Sequence, residues 1–447
     1  MAQDYRQIAR NLSISITAQR QAASDLFFPQ NKHEITSSEK KNIVIVGGEL
    51  FNKGAQAMTF TVIDQVQKAF PEKNIYLFSK RDFERTDEEK SQYTFDILPW
   101  GPEIQLEILS SRLRYMNTRE FSKEVNGEVS TVLSNCAGMI DINGYALSSQ
   151  MGFDKSLLYI VNVMIAKEAD IPIYILPQSI GPFDYSFPKQ LYLNPLLKLY
   201  LTYPQVICPR EQAGVDSLNT YTQNNVSKEF DLVLQTERYD LENVYVEEPD
   251  LERKQLASDA VGIVPNSKVF ERMDETEFYT LYEQIISKLL SEGHTVYVFR
   301  HSVEDLDLCQ EIKSLYPDDE RVVLFEDDLN AIELEHVIDQ CQFLVGSRYH
   351  SLVHSYKNHV PVLAIGWATK YKELLEEFEQ MEYFFDCRAG VDETELSAAI
   401  ASLSAQHSAE SELIQTKVDK IQENSIFDRQ FPVSESRSET DMEILNQ

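Results

Sequence analysis

Cysteine is scarce in this chain and scattered through it. Cys136, Cys208, Cys309, Cys341 and Cys387 are odd in number and form no Cys-x-x-Cys pair, which excludes a disulfide framework and offers no zinc-site spacing. A reducing cytoplasm is the expected compartment. Long apolar runs are missing as well. Leu157 to Ala166, the longest, is interrupted by Asn162 and closed by Lys167 and Glu168, far short of the ~20 residues that span a bilayer. The first residues lack the charged-then-apolar order of a secretory signal, and Asp4 and Asp25 set them apart from a transit peptide despite Arg6, Arg10 and Arg20. Basic residues are the most outnumbered: 41 Lys and Arg face 72 Asp and Glu, a net charge of −31. So acidic a surface repels phosphate at long range, which excludes nucleic acid and anionic lipid as non-specific partners. An anionic small substrate must then be held by a local cluster of cations.

What is present is a chain of 447 residues, 43% of them apolar, enough for two or three cores of ~150 residues each. Residues 1–41 read as a polar leader in which Tyr5, Ile8, Leu12 and Ile16 fall at helical spacing. Residues 42–237 form a first strand–helix series, opened by Asn42-Ile-Val-Ile-Val46, a Gly47-Gly48 turn and the helical pattern Ala55 to Phe70. Further strands are expected at 74–78, 131–133, 173–176, 205–208 and 231–234. From Arg238 to Ser258 the chain turns acidic (Glu242, Glu247, Glu248, Asp250, Glu252) and loses periodicity, as a linker does. Residues 259–392 repeat the alternation, with strands at 260–264, 295–299, 322–325, 343–345 and 362–365. Residues 393–447 carry one or two terminal helices to about 421 and then a polar, loosely held tail. The expectation is an α/β protein of two Rossmann-like, doubly wound domains facing a cleft, the general plan of GT-B glycosyltransferases, with ligands at the carboxyl ends of the strands.

Four turns at such strand ends carry polar residues that chemistry could use. In the first, Gly47 to Ala57 joins strand to helix, where free amides hold an anion or a sugar oxygen; Asn52, Lys53 and Gln56 would make it functional, whereas glycines alone would only permit the turn. In the second, Asp141 and Asn143 follow the strand ending at Leu133, and Asp141 is either a base toward a sugar hydroxyl or the residue of an Asx turn. The third pairs Gln178, in Leu176-Pro-Gln-Ser-Ile-Gly-Pro182, with Arg210-Glu211 after Pro209, an anion clamp in a cleft and an ordinary ion pair on a surface. The fourth is Gly346-Ser-Arg-Tyr-His350, where Arg348, Tyr349 and His350 crowd a helix start and together suit a phosphate or carboxylate. His350 and His354, at i and i+4, are alternatively core residues or metal ligands, but no third ligand stands near.

These turns, with Pro361-Val-Leu-Ala364 and Lys370, resemble the polysaccharide pyruvyl transferase family in order and spacing from about Ile43 to Phe384. The resemblance implies a GT-B-like transferase that moves the enolpyruvyl carbons of phosphoenolpyruvate onto two hydroxyls of a sugar, forming a pyruvate ketal on a cell-surface polysaccharide or its lipid-linked precursor. It implies phosphoenolpyruvate binding by Arg210, Arg348, Tyr349 and Lys370, with His350 as general acid whose pKa two nearby anionic groups raise. Asp141 or Glu211 would be the general base, and Asn52, Lys53, Gln56, Asn143 and Gln178 would hold the acceptor in the first domain. No cofactor or metal is required, since arginines stabilise the departing phosphate. Membrane association would be peripheral, through the acceptor. One departure is the turn Asn135-Cys-Ala-Gly138 followed by Asp141-Ile-Asn-Gly-Tyr145, where the family carries a glycine-rich turn. Two other readings fit the same plan. One is a glycosyltransferase whose Glu373 or Glu376 holds a ribose; the other is a silent sugar- or anion-binding protein that keeps Arg210 but could lose His350 without loss of affinity.

Overall fold

The computed structural model describes residues 34–112, 123–251 and 254–432, together with 14, 16–19 and 21–22. Two six-stranded sheets organise them. The first contains β1 (Asn42–Val46), β2 (Asn74–Phe78), β3 (Asp96–Leu98), β4 (Cys136–Asp141), β5 (Ile173–Gln178) and β6 (Val206–Pro209), in the order β3-β2-β1-β4-β5-β6. Helices α1 (Lys53–Ala69), α2 (Lys123–Ser134), α3 (Phe153–Glu168) and α4 (Gln212–Leu218) belong to it. The second contains β7 (Ala260–Val264), β8 (Thr295–Phe299), β9 (Val322–Phe325), β10 (Phe343–Gly346), β11 (Val362–Gly366) and β12 (Phe384–Asp386), in the order β12-β11-β10-β7-β8-β9. Its helices include α5 (Glu275–Ser291), α6 (Ala331–Asp339), α7 (Tyr349–Lys357) and α8 (Thr369–Glu377).

Every strand pair is parallel, which is why the inner strands are apolar on both faces and buried along their length, as β1 and β7 are. In both sheets the winding reverses direction beside the first strand, between β1 and β4 and between β7 and β10. A crevice opens at such a reversal, at the carboxyl ends of the strands. The two-domain, Rossmann-like α/β architecture expected from the alternation is therefore the one observed.

Several local expectations are corrected. Thr131 to Leu133 ends α2 rather than forming a strand; the strand begins at Cys136, and Asp141 is its last residue, in register with Val46 and Ile175. Leu232–Gln235 is a short 3-10 helix, not a strand. β3 and β12, three residues each, are edge strands too short to announce themselves by periodicity. The acidic stretch after Arg238 is packed rather than loose: Val244 and Tyr245 are buried, and Tyr245 bridges to Tyr93. Of the leader's helix, Tyr5, Ile8 and Leu12 lie outside the described residues; Ile14 and Ala18 are buried in the first domain.

Helix α9 (Glu393–Glu423) begins with Leu396, Ile400 and Leu403 in the second domain's core. It ends with Ile414, Val418 and Ile421 in an apolar cluster shared by both domains. A short helix, α10 (Ile426–Gln430), then places Ile426, Phe427 and Phe431 in that same cluster, with Phe431 against Phe70 and Tyr174 of the first domain. The segment expected to be a loose tail is thus firmly packed as far as 431, because its three apolar residues recur on one side. Residues 433–447 lie outside the described residues.

Candidate active site

A cleft of about 780 Å³ lies between the two sheets' carboxyl ends. Its walls come from the turn after β1 (Asn52), the loop after β4 (Tyr145), the turn after β5 (Ser179 to Pro182) and the start of α4 (Glu211). From the second domain come Asn266 and Lys268 after β7, His301 after β8, Arg348 to His350 after β10, Trp367 to Tyr371 after β11 and Arg388 after β12. Lys268, Arg272, Arg348, Lys370 and Arg388 line it, against the single carboxylate of Glu211. In a chain of net charge −31, this is a local inversion of sign suited to an anion.

The second domain supplies most of the chemistry. β10 ends at Gly346, Arg348 is the N-cap of α7, and no side chain caps the free amides there; the first turn of α8 after Ala368 is likewise uncapped. His350 Nε2 stands 3.6 Å from Asp231 Oδ2 and forms no hydrogen bond. Burial, then Arg210, His354 and Lys370, hold its pKa well below the ordinary histidine value. Its cationic neighbours thus outweigh the Asp231 carboxylate beside it. The ring is seated by Gly54: a Cβ there would come within 2.3 Å of His350 Cγ and Nδ1.

Lys370 has no ion pair among the described contacts, and its Nζ lies 4.9 Å from the centre of the Tyr349 ring. Burial, with Arg210 adding, pushes its pKa down to about 8. Arg210 sits just behind the cleft wall, its Cζ 4.7 Å from the same ring. It donates to Asp231, to Ser179 Oγ at 2.8 Å and to the Gly144 carbonyl at 3.1 Å, while its Nε is buried without a partner. Glu211 lines the cleft and accepts from Ser179 Oγ at 2.7 Å. Burial pushes the Tyr349 hydroxyl up, so it stays protonated.

Arg348, expected to bind the donor, is already engaged. Its Nε and Nη2 donate to the buried Asp305 at 2.7 and 2.5 Å, and Nη2 also reaches Glu304 at 2.6 Å. It still lines the cleft, but two carboxylates already answer its charge. Asp231 and Asp305 are the residues that sequence reasoning missed. They lie 21 and 43 positions from the arginines they hold, a separation that no local motif records.

Much of the expected acceptor set is elsewhere. Asp141 is fully buried within the sheet and accepts from Asn143 Nδ2 at 2.9 Å, Gln178 Nε2 at 3.3 Å and Asn162 Nδ2 at 3.4 Å. Burial raises its pKa against those bonds. Asp141 and Gln178 are buried beneath the β4 tip with Asn143 half-buried beside them, Gln178 Oε1 is left without a partner, and none of the three lines the cleft, where the base and the acceptor contacts were expected. Lys53 pairs with Asp328 at 3.0 Å, and Gln56 Oε1 accepts from Ala331 N at 2.9 Å. Both join the domains rather than face the cleft. Asn52 does line it, with its Oδ1 capping Gly54 N and Ala55 N at 3.1 and 3.2 Å. Glu373 caps α4 through Gln212 N at 2.6 Å, and Glu376 lies near Lys372, so neither faces the cleft. His354 Nδ1 donates to the Glu335 carboxylate at 3.0 Å, away from His350's partner. Among the described residues no three His, Cys, Asp or Glu side chains gather as a metal site, and no helix is long and apolar enough to cross a membrane.

The chain is similar in structure to an O-GlcNAc transferase mutant of Thermobaculum terrenum, at TM-score 0.41 and 11% identity, covering 89% of this chain and 66% of that one. It is also similar to UGT71G1 of Medicago truncatula complexed with UDP-glucose, at 0.49 and 13% over 88% and 96% of the two chains. A third likeness is to UDP-GlcNAc 2-epimerase from Methanocaldococcus jannaschii, at 0.47 and 9% over 81% and 92%. No protein of curated function gives a significant sequence match. The pattern of one family, polysaccharide pyruvyl transferase, runs from residue 52 to residue 369. That span opens at the Asn52 cap, takes in Arg210, Glu211 and the Arg348 to His350 turn, and closes one residue before Lys370; the chain belongs to the polysaccharide pyruvyl transferase family.

Proposed function

We propose that this protein transfers the enolpyruvyl carbons of phosphoenolpyruvate onto two hydroxyls of a sugar, in a cell-surface polysaccharide or its lipid-linked precursor, and releases phosphate. The observation that carries the reading is the cationic cleft of an otherwise strongly acidic molecule, where Lys370 and two uncapped helix starts meet without a carboxylate partner. Phosphoenolpyruvate, a multiply charged anion, is the kind of ligand such a site accepts.

On this reading the anion also resets His350. Its negative charge offsets Arg210 and Lys370, the imidazole takes up a proton, and the imidazolium becomes the acid that protonates C3 of the enol. A sugar hydroxyl adds at C2, and a second hydroxyl displaces phosphate. Of the two hydroxyl protons, one replaces the proton given to C3 and the other leaves with hydrogen phosphate, so the sum is closed. Glu211 is the cleft carboxylate placed to receive a hydroxyl proton. Lys370 holds the donor, and Arg210, braced by Asp231, adds its charge from just behind the cleft wall. The glycosyltransferase reading loses its ribose carboxylates, because Glu373 and Glu376 are engaged outside the cleft.

The test is a thermal-shift titration with phosphoenolpyruvate beside a panel of nucleotide sugars, since a ligand at ~100 times its Kd adds roughly 2.7 kcal/mol. Stabilisation by phosphoenolpyruvate that Lys370→Met abolishes supports the reading. Stabilisation by a nucleotide sugar alone overturns it.

A further inference from the structure

His301 stands immediately beyond β8, in the cleft wall, and is only 2% exposed. Its Nε2 is buried and has no hydrogen-bond partner, although buried polar groups are paired almost without exception. No motif marked it, and the scheme above does not use it. The charged and titratable groups that face it are His354, His350 and Arg348 around α7, and Lys53 at the start of α1. The His354 ring centre is 5.5 Å from its own. Lys53 is paired with Asp328, His354 with Glu335, and Arg348 with Asp305 and Glu304. The neighbours that act on His301 are cationic or potentially so, and nothing in the described structure offers its Nε2 an acceptor.

We propose that His301 is a further donor-binding residue, whose Nε2 hydrogen-bonds an anionic oxygen of phosphoenolpyruvate and is protonated as the donor binds. The proposal rests on the donor reading given above. An anion is the chemical class that satisfies the site: it supplies the acceptor that the buried Nε2 lacks and favours a proton on the ring. Burial, followed by His354, His350, Arg348 and Lys53, keeps the ring neutral until then, with its pKa well below the usual value. Donor binding should therefore draw protons from solution, one to His301 and one to His350.

Proton uptake is measurable without knowing the sugar acceptor. Calorimetric titration of phosphoenolpyruvate at about pH 7.5, in buffers of different ionisation enthalpy, gives both Kd and the protons taken up. Wild type should take up protons. His301→Gln should take up about one fewer and bind roughly tenfold or more weakly, as loss of a charged hydrogen bond implies. Unchanged uptake and Kd in that variant overturn the inference and leave the donor reading standing. Absence of any phosphoenolpyruvate binding by wild type overturns the donor reading itself, and the inference with it. Should His301→Gln not fold, side-chain nitrogen spectra of wild type with and without phosphoenolpyruvate decide. The His301 ring must pass from the neutral to the doubly protonated pattern, and a ring that stays neutral refutes the proposal.

Discussion

At the scale of single residues, Lys370 carries the clearest signature of function over stability. Lys370 is half-buried in the cleft wall, and desolvation lowers its pKa to about 8 from the 10.5 of a free lysine. Between these two values the unfolded chain binds the proton that the native protein has lost, so stability rises with pH across that window; below pH 8 the full cost of the desolvated charge is present. Lys370→Met should accordingly raise the melting temperature at pH 7, and the gain should shrink as pH climbs from 8 to 10.5, while anion binding is lost. A variant less stable than wild type at pH 7 would contradict this. Gly54 is the second test. Alanine there would occupy the space of the His350 ring, so Gly54→Ala should lower turnover by ~10²–10⁴-fold, the usual worth of a general acid. Its far-ultraviolet dichroism should stay that of wild type, since alanine favours a helix.

At the scale of elements, two helix starts are completed from the opposite domain. Gln56 on α1 accepts the Ala331 amide of α6, 275 positions away, and Glu373 on α8 accepts the Gln212 and Ala213 amides of α4. Each satisfies donors that a helix cannot satisfy itself. Gln56→Leu should lower the unfolding free energy by about 1–3 kcal/mol, the cost of a buried amide left unpaired, and urea denaturation will measure it. These pairings also show where sequence reading stops. The strand tips bearing Asn52, Arg210, Glu211 and His350 were legible because a strand, a turn and a helix follow one another locally. The misplacement of Asp141 came from reading Thr131-Val-Leu as strand on β-branched propensity, when α2 simply continues to Ser134. Gln56 and Lys53 were misassigned because their partners lie in a domain that sequence spacing cannot position.

At the scale of the whole molecule, one apolar cluster runs through both domains, joining Ile43, Phe60 and Leu77 to Leu344, Leu352 and Tyr356. Domains that share so much of a core unfold together, so calorimetry should record a single transition; two resolved transitions would show that the shared cluster contributes little. Phe431→Ala should cost about 3–5 kcal/mol, as large-to-small changes in a core do, and should destabilise the first domain even though the residue follows the second in sequence.

That last point reaches into the order in which the protein is made. Phe70 and Tyr174 leave the ribosome long before Phe431, which covers them. The first domain therefore waits, with an apolar face open, until the second has been synthesised and α9 has carried the chain back. During that interval the growing chain is most exposed to chaperones and to aggregation, and of the two domains the one made first is the last to be finished.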